Sequence, residues 1–466
     1  MQRAIYLWNT LGRQLVTFEP KVSGEVGLYT CGPTVYGRAS IGNMRAYVFS
    51  DVLRRMFLAN GYKVNQVVNI TDVGHLVGDG NEGEDKVEVG AKREGKTAWD
   101  VAREYTDLYL ADIAALNVLP ATHLPKATDH IGEQIAMIEA MEAKGFTYLT
   151  ADGVYFDTAK LPSYGELSGQ KLADKVAGAR VEVNDEKRNP TDFALWKFSP
   201  AGEKRQMEWP SPWGVGFPGW HIECSAMSEK YLGLPFDIHT GGEDHVAVHH
   251  ENEIAQARAA RGVIEANVWL HNAFLTVDGG KMSKSLGNVY SIDDLREKGF
   301  EPRALRYLFL TAHYRTTLNF TWEALEGAQR AVWGLEDTLR LWPAGVDADP
   351  SLEYVEQFLA AINNDLDTPN ALAVLHGLVS DQSLAGEVKA ATVRVFEAVL
   401  GLGLSQALGA DLVPTAEVAE LLGARAEARG LKDFGASDVL RGQIEAAGFR
   451  VLDTPQGQRL LPVRPW

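Results

Sequence analysis

Hydrophobic and polar residues follow two alternating periods in the first part of the chain. Val26–Thr30 is a short apolar, strand-like run that stops at the turn-forming Cys31-Gly32-Pro33. Tyr47–Ala59 then sets apolar positions at helical spacing and ends at Asn60-Gly61, and Lys63–Ile70 reads as a buried strand. Strand, glycine-bearing turn, helix and strand make a βαβ unit, and its crossover predicts a parallel sheet. Such sheets take ligands at the carboxyl ends of their strands. Residues 79–95 are charged and rich in glycine, as expected of a mobile surface loop running into a helix. Residues 126–207 break the pattern with Pro-, Gly- and Asp-rich turns and short strand signals such as Val154–Phe156, and read as an insertion. A second sheet-like stretch follows at Phe236–His239, with a turn expected at Gly241-Gly242 and a helix from Val248 to Ala260. From residue 323 the pattern is helical, through Leu341, Leu352–Ile362 and Ala371–Leu378, and residues 424–466 look like a small separate module.

Composition bounds the function without naming it. The 466 residues suggest about three domains. The 45% hydrophobic and 23% charged content is that of an ordinary globular protein rather than a disordered or fibrous one. There is no apolar run of spanning length and the start, MQRAIYLWNTLGRQ, lacks a secretory core, so a cytoplasmic protein without a membrane is expected. The net charge of −17 argues against a general DNA coater but allows a nucleic acid held by a local basic patch. Residues 424–466 carry such a bias, with seven basic residues against five acidic ones.

The two cysteines, Cys31 and Cys224, exclude a disulfide framework by number alone. His249 and Glu253 stand four apart in the predicted helix and so point from one face. An imidazole and a carboxylate one turn apart suit zinc, which needs two more ligands for a tetrahedral shell, and thiolates favour zinc over magnesium. The other possibility is a hydrogen-bonded histidine pair with two cysteines packed in the core. The metalloprotease pattern fails, because Ile254 stands where its second histidine belongs. Lys281-Met282-Ser283-Lys284-Ser285 follows Gly279-Gly280, and two lysines in a small-residue loop can offset charge on a phosphate chain as it departs.

KMSKS together with the upstream Ser40-Ile41-Gly42-Asn43 resembles the paired signatures of class I aminoacyl-tRNA synthetases. The strings CGPTVYGRASIGN at 31–43, NITDV at 69–73, GWHIECSAM at 219–227, HHENEIAQ at 249–256 and KMSKSLGN at 281–288 are similar to those of the cysteinyl-tRNA synthetase family. The resemblance covers essentially the whole chain. It implies a Rossmann-like α/β catalytic domain in two halves (1–125 and 208–265) split by the insertion at 126–207. A stem-contact region carrying KMSKS (266–322), a helical anticodon-binding domain (323–423) and the module at 424–466 would follow.

The resemblance further implies zinc on Cys31, Cys224, His249 and Glu253, receiving the thiol of L-cysteine, and Thr71, Trp220 and His221 lining the amino-acid pocket. Mg-ATP would meet Gly42 at its adenine and Asp244 at its ribose. Lys284 would make the transition-state contact, assisted by Lys281, while Asn43 and Ser40 donate to phosphate. tRNA(Cys) would be the acceptor and the chain a monomer. The first signature usually begins with His. Ser40 is shorter and never cationic, so either a neighbour such as His75 compensates or adenylation is slowed. A paralogous ligase joining cysteine to an amino sugar, and a non-catalytic nucleotide- and zinc-binding regulator, are the competing readings. The long C-terminal extension argues against the first, and intact KMSKS and metal ligands against the second.

Overall fold

The computed structural model describes residues 3–74, 86–169, 186–200, 202, 205–283, 286–344, 347–454 and 457–464. Its central element is a parallel sheet of four strands: β1 (Glu25–Thr30), β2 (Lys63–Val68), β3 (Phe236–Gly242) and β4 (Ala266–Asn272). Their spatial order is β4-β3-β1-β2, and every pairing is parallel. The two halves of the chain are interleaved here, because β3 lies between β1 and β4. Apolar side chains such as Val26, Leu28, Ile238 and Leu270 are fully buried, as expected for a sheet covered on both faces.

Helix α1 (Ile41–Ala59) crosses from β1 to β2. It begins six residues before the apolar periodicity at Tyr47, because a capping box starts it. Ser40 Oγ accepts from the Asn43 amide at 3.4 Å and the Asn43 carboxamide oxygen accepts from the Ser40 amide at 2.9 Å. Helices α2 (Trp220–Leu232) and α3 (His249–Arg261) flank β3 in sequence. The turn expected at Gly241-Gly242 is instead the end of β3, where these glycines pair with His271 and Asn272. Glycine is needed at 241 for close packing, since a Cβ there would lie 2.6 Å from the His250 ring.

Within residues 126–207 a helix, Ile131–Ala143, precedes an antiparallel sheet of Thr147–Thr150, Gly153–Phe156, Phe193–Phe198 and Gly216–Pro218. Its last strand lies beyond residue 207. The loop expected at 79–95 lies partly outside the described residues, and Lys86–Glu94 is helical. A small sheet joins Leu275–Val277 to Gly280–Lys281 and Leu318–Phe320. The buried Arg45 of α1 donates to the carbonyls of Ala273, Phe274 and Thr316, which pins this sheet to the helix. Burial lowers the pKa of this guanidinium to about 10.

Contacts divide the chain into a first unit of 1–329, 358–372 and 399–401 and a second of 330–357, 373–398 and 402–466. The second unit is mainly helical and ends in helices Ala416–Gly430 and Phe434–Ala446 and the hairpin Phe449–Thr454/Gly457–Pro462. Among the described residues no helix is long and apolar enough to cross a membrane.

Candidate metal centre and nucleotide signatures

Cys31 follows β1 directly, Cys224 lies on α2, and His249 and Glu253 lie on α3. The fold brings these four ligand atoms within 4.8 Å of one another, and all four residues are buried. Arms of about 2.0–2.3 Å around zinc imply ligand–ligand separations of about 3.3–3.8 Å. His249 Nε2 is 3.0 Å from Glu253 Oε1, Cys224 Sγ is 3.6 Å from His249 Nε2 and Cys31 Sγ is 4.0 Å from Glu253 Oε1. Both cysteines are free thiols.

Charge supports the same use. Burial pushes the Cys31 thiol and the Glu253 carboxyl well above their ordinary values. The hydrogen bond with Cys31 lowers Cys224, yet burial and the acids Glu253 and Glu223 lift it to about 11. Burial favours the protonated forms of these groups, and to ionise as two thiolates and a carboxylate they would need a divalent cation to supply the missing positive charge. The donor set therefore fits a soft, tetrahedral ion such as zinc.

A second layer holds these donors in place. His239 Nε2 is hydrogen-bonded with Glu253 Oε2 at 2.9 Å, leaving Oε1 to the centre, and its ring stacks on Trp269 at 4.5 Å. Cys31 Sγ lies 3.1 Å from His250 Nε2, and His250 Nδ1 lies 2.7 Å from His271 Nε2. His271 Nδ1 in turn is 2.8 Å from Thr10 Oγ1. Burial drives His239 down to about 4 and lowers His250 and His271 as well, so these rings are neutral at ordinary pH. Cys31, His239, His250 and Glu253 form an overlapping group within the same distance limit.

Sequence reasoning misses His239, His250, His271 and Thr10. One signal is available there, since six of the 11 histidines fall between His221 and His271.

The residues expected to line the amino-acid pocket reach this centre to different degrees. His221 Nδ1 is 2.8 Å from His249 Nδ1, and the half-buried Trp220 ring packs 4.4 Å from that of His249. Thr71 is buried and donates to Glu223 Oε2 at 2.9 Å, one residue before Cys224. Gly32 leaves no room for a side chain, as a Cβ there would fall 1.6 Å from the Asn69 carbonyl oxygen.

The residues expected to meet the nucleotide sit elsewhere in the same unit. Ser40 and Asn43 bind each other at the start of α1, with Ser40 Oγ also donating to Asn43 Oδ1 at 2.8 Å. Gly42 faces Met282, whose Cε would be 3.5 Å from a Cβ added there. Lys281 is exposed on its short strand. Asp244 is exposed in a turn of 3₁₀ helix, with Oδ1 against Gly242. Lys284 and His75 lie outside the described residues.

Comparison with known proteins agrees with this architecture. Residues 17–330 match the family described as tRNA synthetases class I (C) catalytic domain. A Burkholderia lata protein named cysteine–tRNA ligase 1 is 53% identical over 97% of this chain and 96% of its own. A cysteine–tRNA ligase of Thermus thermophilus is 44% identical over 98% of each chain. In three dimensions, Mycobacterium tuberculosis methionyl-tRNA synthetase in complex with methionyl-adenylate superposes with a TM-score of 0.54 at 15% identity, over 82% of this chain and 91% of that one. An Agrobacterium radiobacter LeuRS–tRNA–LeuAMS complex gives 0.58 at 12% identity, over 83% and 85%. These structural likenesses bear on the fold. The family match and the extended identity to the ligases establish that the chain belongs to the cysteine–tRNA ligase family of class I aminoacyl-tRNA synthetases.

Proposed function

We propose that this chain attaches L-cysteine to tRNA(Cys) through a cysteinyl-adenylate, with zinc on Cys31, Cys224, His249 and Glu253 selecting the substrate. The observation that carries the reading is the buried cluster of two sulfurs, one imidazole and one carboxylate at the carboxyl edge of the sheet. Zinc, when bound, offers the substrate thiolate a contact that the harder, less acidic hydroxyl of serine reproduces poorly. Rejection of an analogue that leaves such a site unpaired reaches roughly 10⁴-fold, enough without a separate editing site.

The protein's own groups bind and orient. Trp220 and His221 pack around His249 and, with Thr71, shape the amino-acid pocket. Gly42 permits close approach of adenine, and Asp244 meets the ribose. An oxygen of the cysteine carboxylate bonds to the α-phosphorus of Mg-ATP as the bridging P–O bond breaks and pyrophosphate leaves. Lys281, Lys284 and Asn43 offset charge on the phosphates, so most of the catalysis is positioning and electrostatics. A hydroxyl of the terminal tRNA adenosine then attacks the acyl carbon and AMP departs. Ser40 keeps Asn43 in its capping geometry rather than presenting an imidazole to phosphate.

Residues 266–322 would contact the acceptor stem, 323–423 the anticodon arm, and the basic tail at 424–466 would complete the tRNA surface of a cytoplasmic monomer. Transfer of labelled cysteine to unfractionated tRNA, with ATP, magnesium and zinc-loaded protein, tests the reading. Charging is expected. Cysteine-dependent pyrophosphate exchange without transfer to tRNA would favour the amino-sugar ligase, and no exchange would favour a regulator.

A further inference from the structure

The mechanism above leaves Arg38, two residues ahead of the first signature, without a role. Its Nε and Nη2 donate to the two carboxylate oxygens of Asp112, at 3.2 and 2.7 Å. Asp112 lies on the helix Ala98–Ala115 and its side chain is 1% exposed, so this end of the guanidinium has a fixed base. The third nitrogen, Nη1, donates to Asp293, which is about half exposed on the short helix Ile292–Glu297 downstream of KMSKS.

Two neighbouring contacts run between the same segments. The Ile41 amide donates to the Tyr290 carbonyl at 2.8 Å, and Gly42 faces Met282. Neither involves charge, and neither reaches a buried anchor outside the two signature segments. A guanidinium can bridge in this way because its fork is planar and always cationic, whereas lysine offers one point charge.

We propose that Arg38 is a positioning residue for adenylate formation, holding the segment that follows KMSKS against the first-signature loop by way of Asp293. This rests on the adenylating reading given above. The ATP phosphates would lie between the two signatures, and a misplacement of about 1 Å can cost about 100-fold in rate. With Ser40 in place of a longer imidazole, the distance between the two loops matters more for phosphate contact.

The test is steady-state pyrophosphate exchange by full-length protein carrying Asp293→Asn, Arg38→Leu or both. Asp293 is at the surface, so Asp293→Asn keeps the fold where Arg38→Leu strands the buried Asp112. Asp293→Asn is expected to lower kcat by about tenfold and raise the KM for ATP, with the KM for cysteine unchanged. The double variant should be no slower than Arg38→Leu alone, because the two residues act through one contact. Arg296→Ala, which removes the other partner of Asp293 at 3.1 Å, should leave kcat unchanged. A wild-type kcat and ATP KM in Asp293→Asn, or effects of the two variants that multiply, would overturn the proposal. Absence of exchange in the wild-type protein would overturn the adenylating reading, and the role of Arg38 with it.

Discussion

His249 Nε2 stands 3.0 Å from Glu253 Oε1 across one turn of a buried helix, close enough for both to bind one ion. Replacing His249 with Ala, or Cys224 with Ser, is therefore expected to take zinc from about one per chain to substoichiometric after dialysis, as read by elemental analysis. In Cys224→Ser, discrimination of cysteine from serine in pyrophosphate exchange should fall as well. Full zinc content with undiminished discrimination would refute the assignment of that ligand.

His239 binds no ion in the proposed arrangement, yet it orients Glu253 through a 2.9 Å hydrogen bond. Loss of such a support typically weakens metal binding by about 10–100-fold. Chelator competition should show this for His239→Ala, with partial recovery in His239→Gln, which retains a side-chain N–H. Equal affinity in all three proteins would mean that His239 only fills space against Trp269.

Glu265 gives a pH dependence that can be signed. Burial lifts its carboxyl from 4.5 to about 8, and Oε1 lies 2.6 Å from Ser228 Oγ, itself 3.1 Å from the Ser225 carbonyl oxygen. The Ser228 hydroxyl donates to Oε1, which only partly offsets the effect of burial. The folded state then holds a proton that the unfolded state releases above the ordinary glutamate value. Its stabilising contribution is full below about pH 4.5 and is lost as the pH rises through about 8. The slope from this single proton approaches about 1.4 kcal/mol per pH unit. Denaturant titrations between pH 5 and 8 should show a flatter profile for Glu265→Gln than for the parent; matching profiles would assign the dependence to other groups.

Ser40 starts α1, so Ser40→Ala should lower unfolding stability by about 1 kcal/mol, measurable in urea. Ser40→Thr should retain most of the cap. No difference between the Ala variant and the parent would mean that Asn43 caps the helix unaided.

Local pattern reveals the pieces of the fold better than their assembly. The strand ending at Thr30 and the α3 face bearing His249 and Glu253 are short-range signals, readable from period and spacing. The apolar stripe places the start of α1 too late because the capping box lies outside it. Gly241-Gly242 looks like a turn because the collision with His250 that demands glycine comes from another element. His271 and Thr10 are not legible at all: they join the site through hydrogen bonds between side chains distant in sequence, which no local period encodes. Arg38 is hidden for the same reason, as its partners lie 74 and 255 residues away.

The interleaved order of the central sheet also governs when the centre can exist during synthesis. Thr30 and Thr240, hydrogen-bonded across β1 and β3, are 210 residues apart. Until the chain has grown past Gly242, β1 has β2 on one side and an open edge on the other. Contacts of such long range form late and slow the search for the native state, and an open edge in the meantime invites association. Cys31 emerges early but meets its co-ligands only after α3 is complete, so the four ligands can come together only once β1 and β3 have both been made.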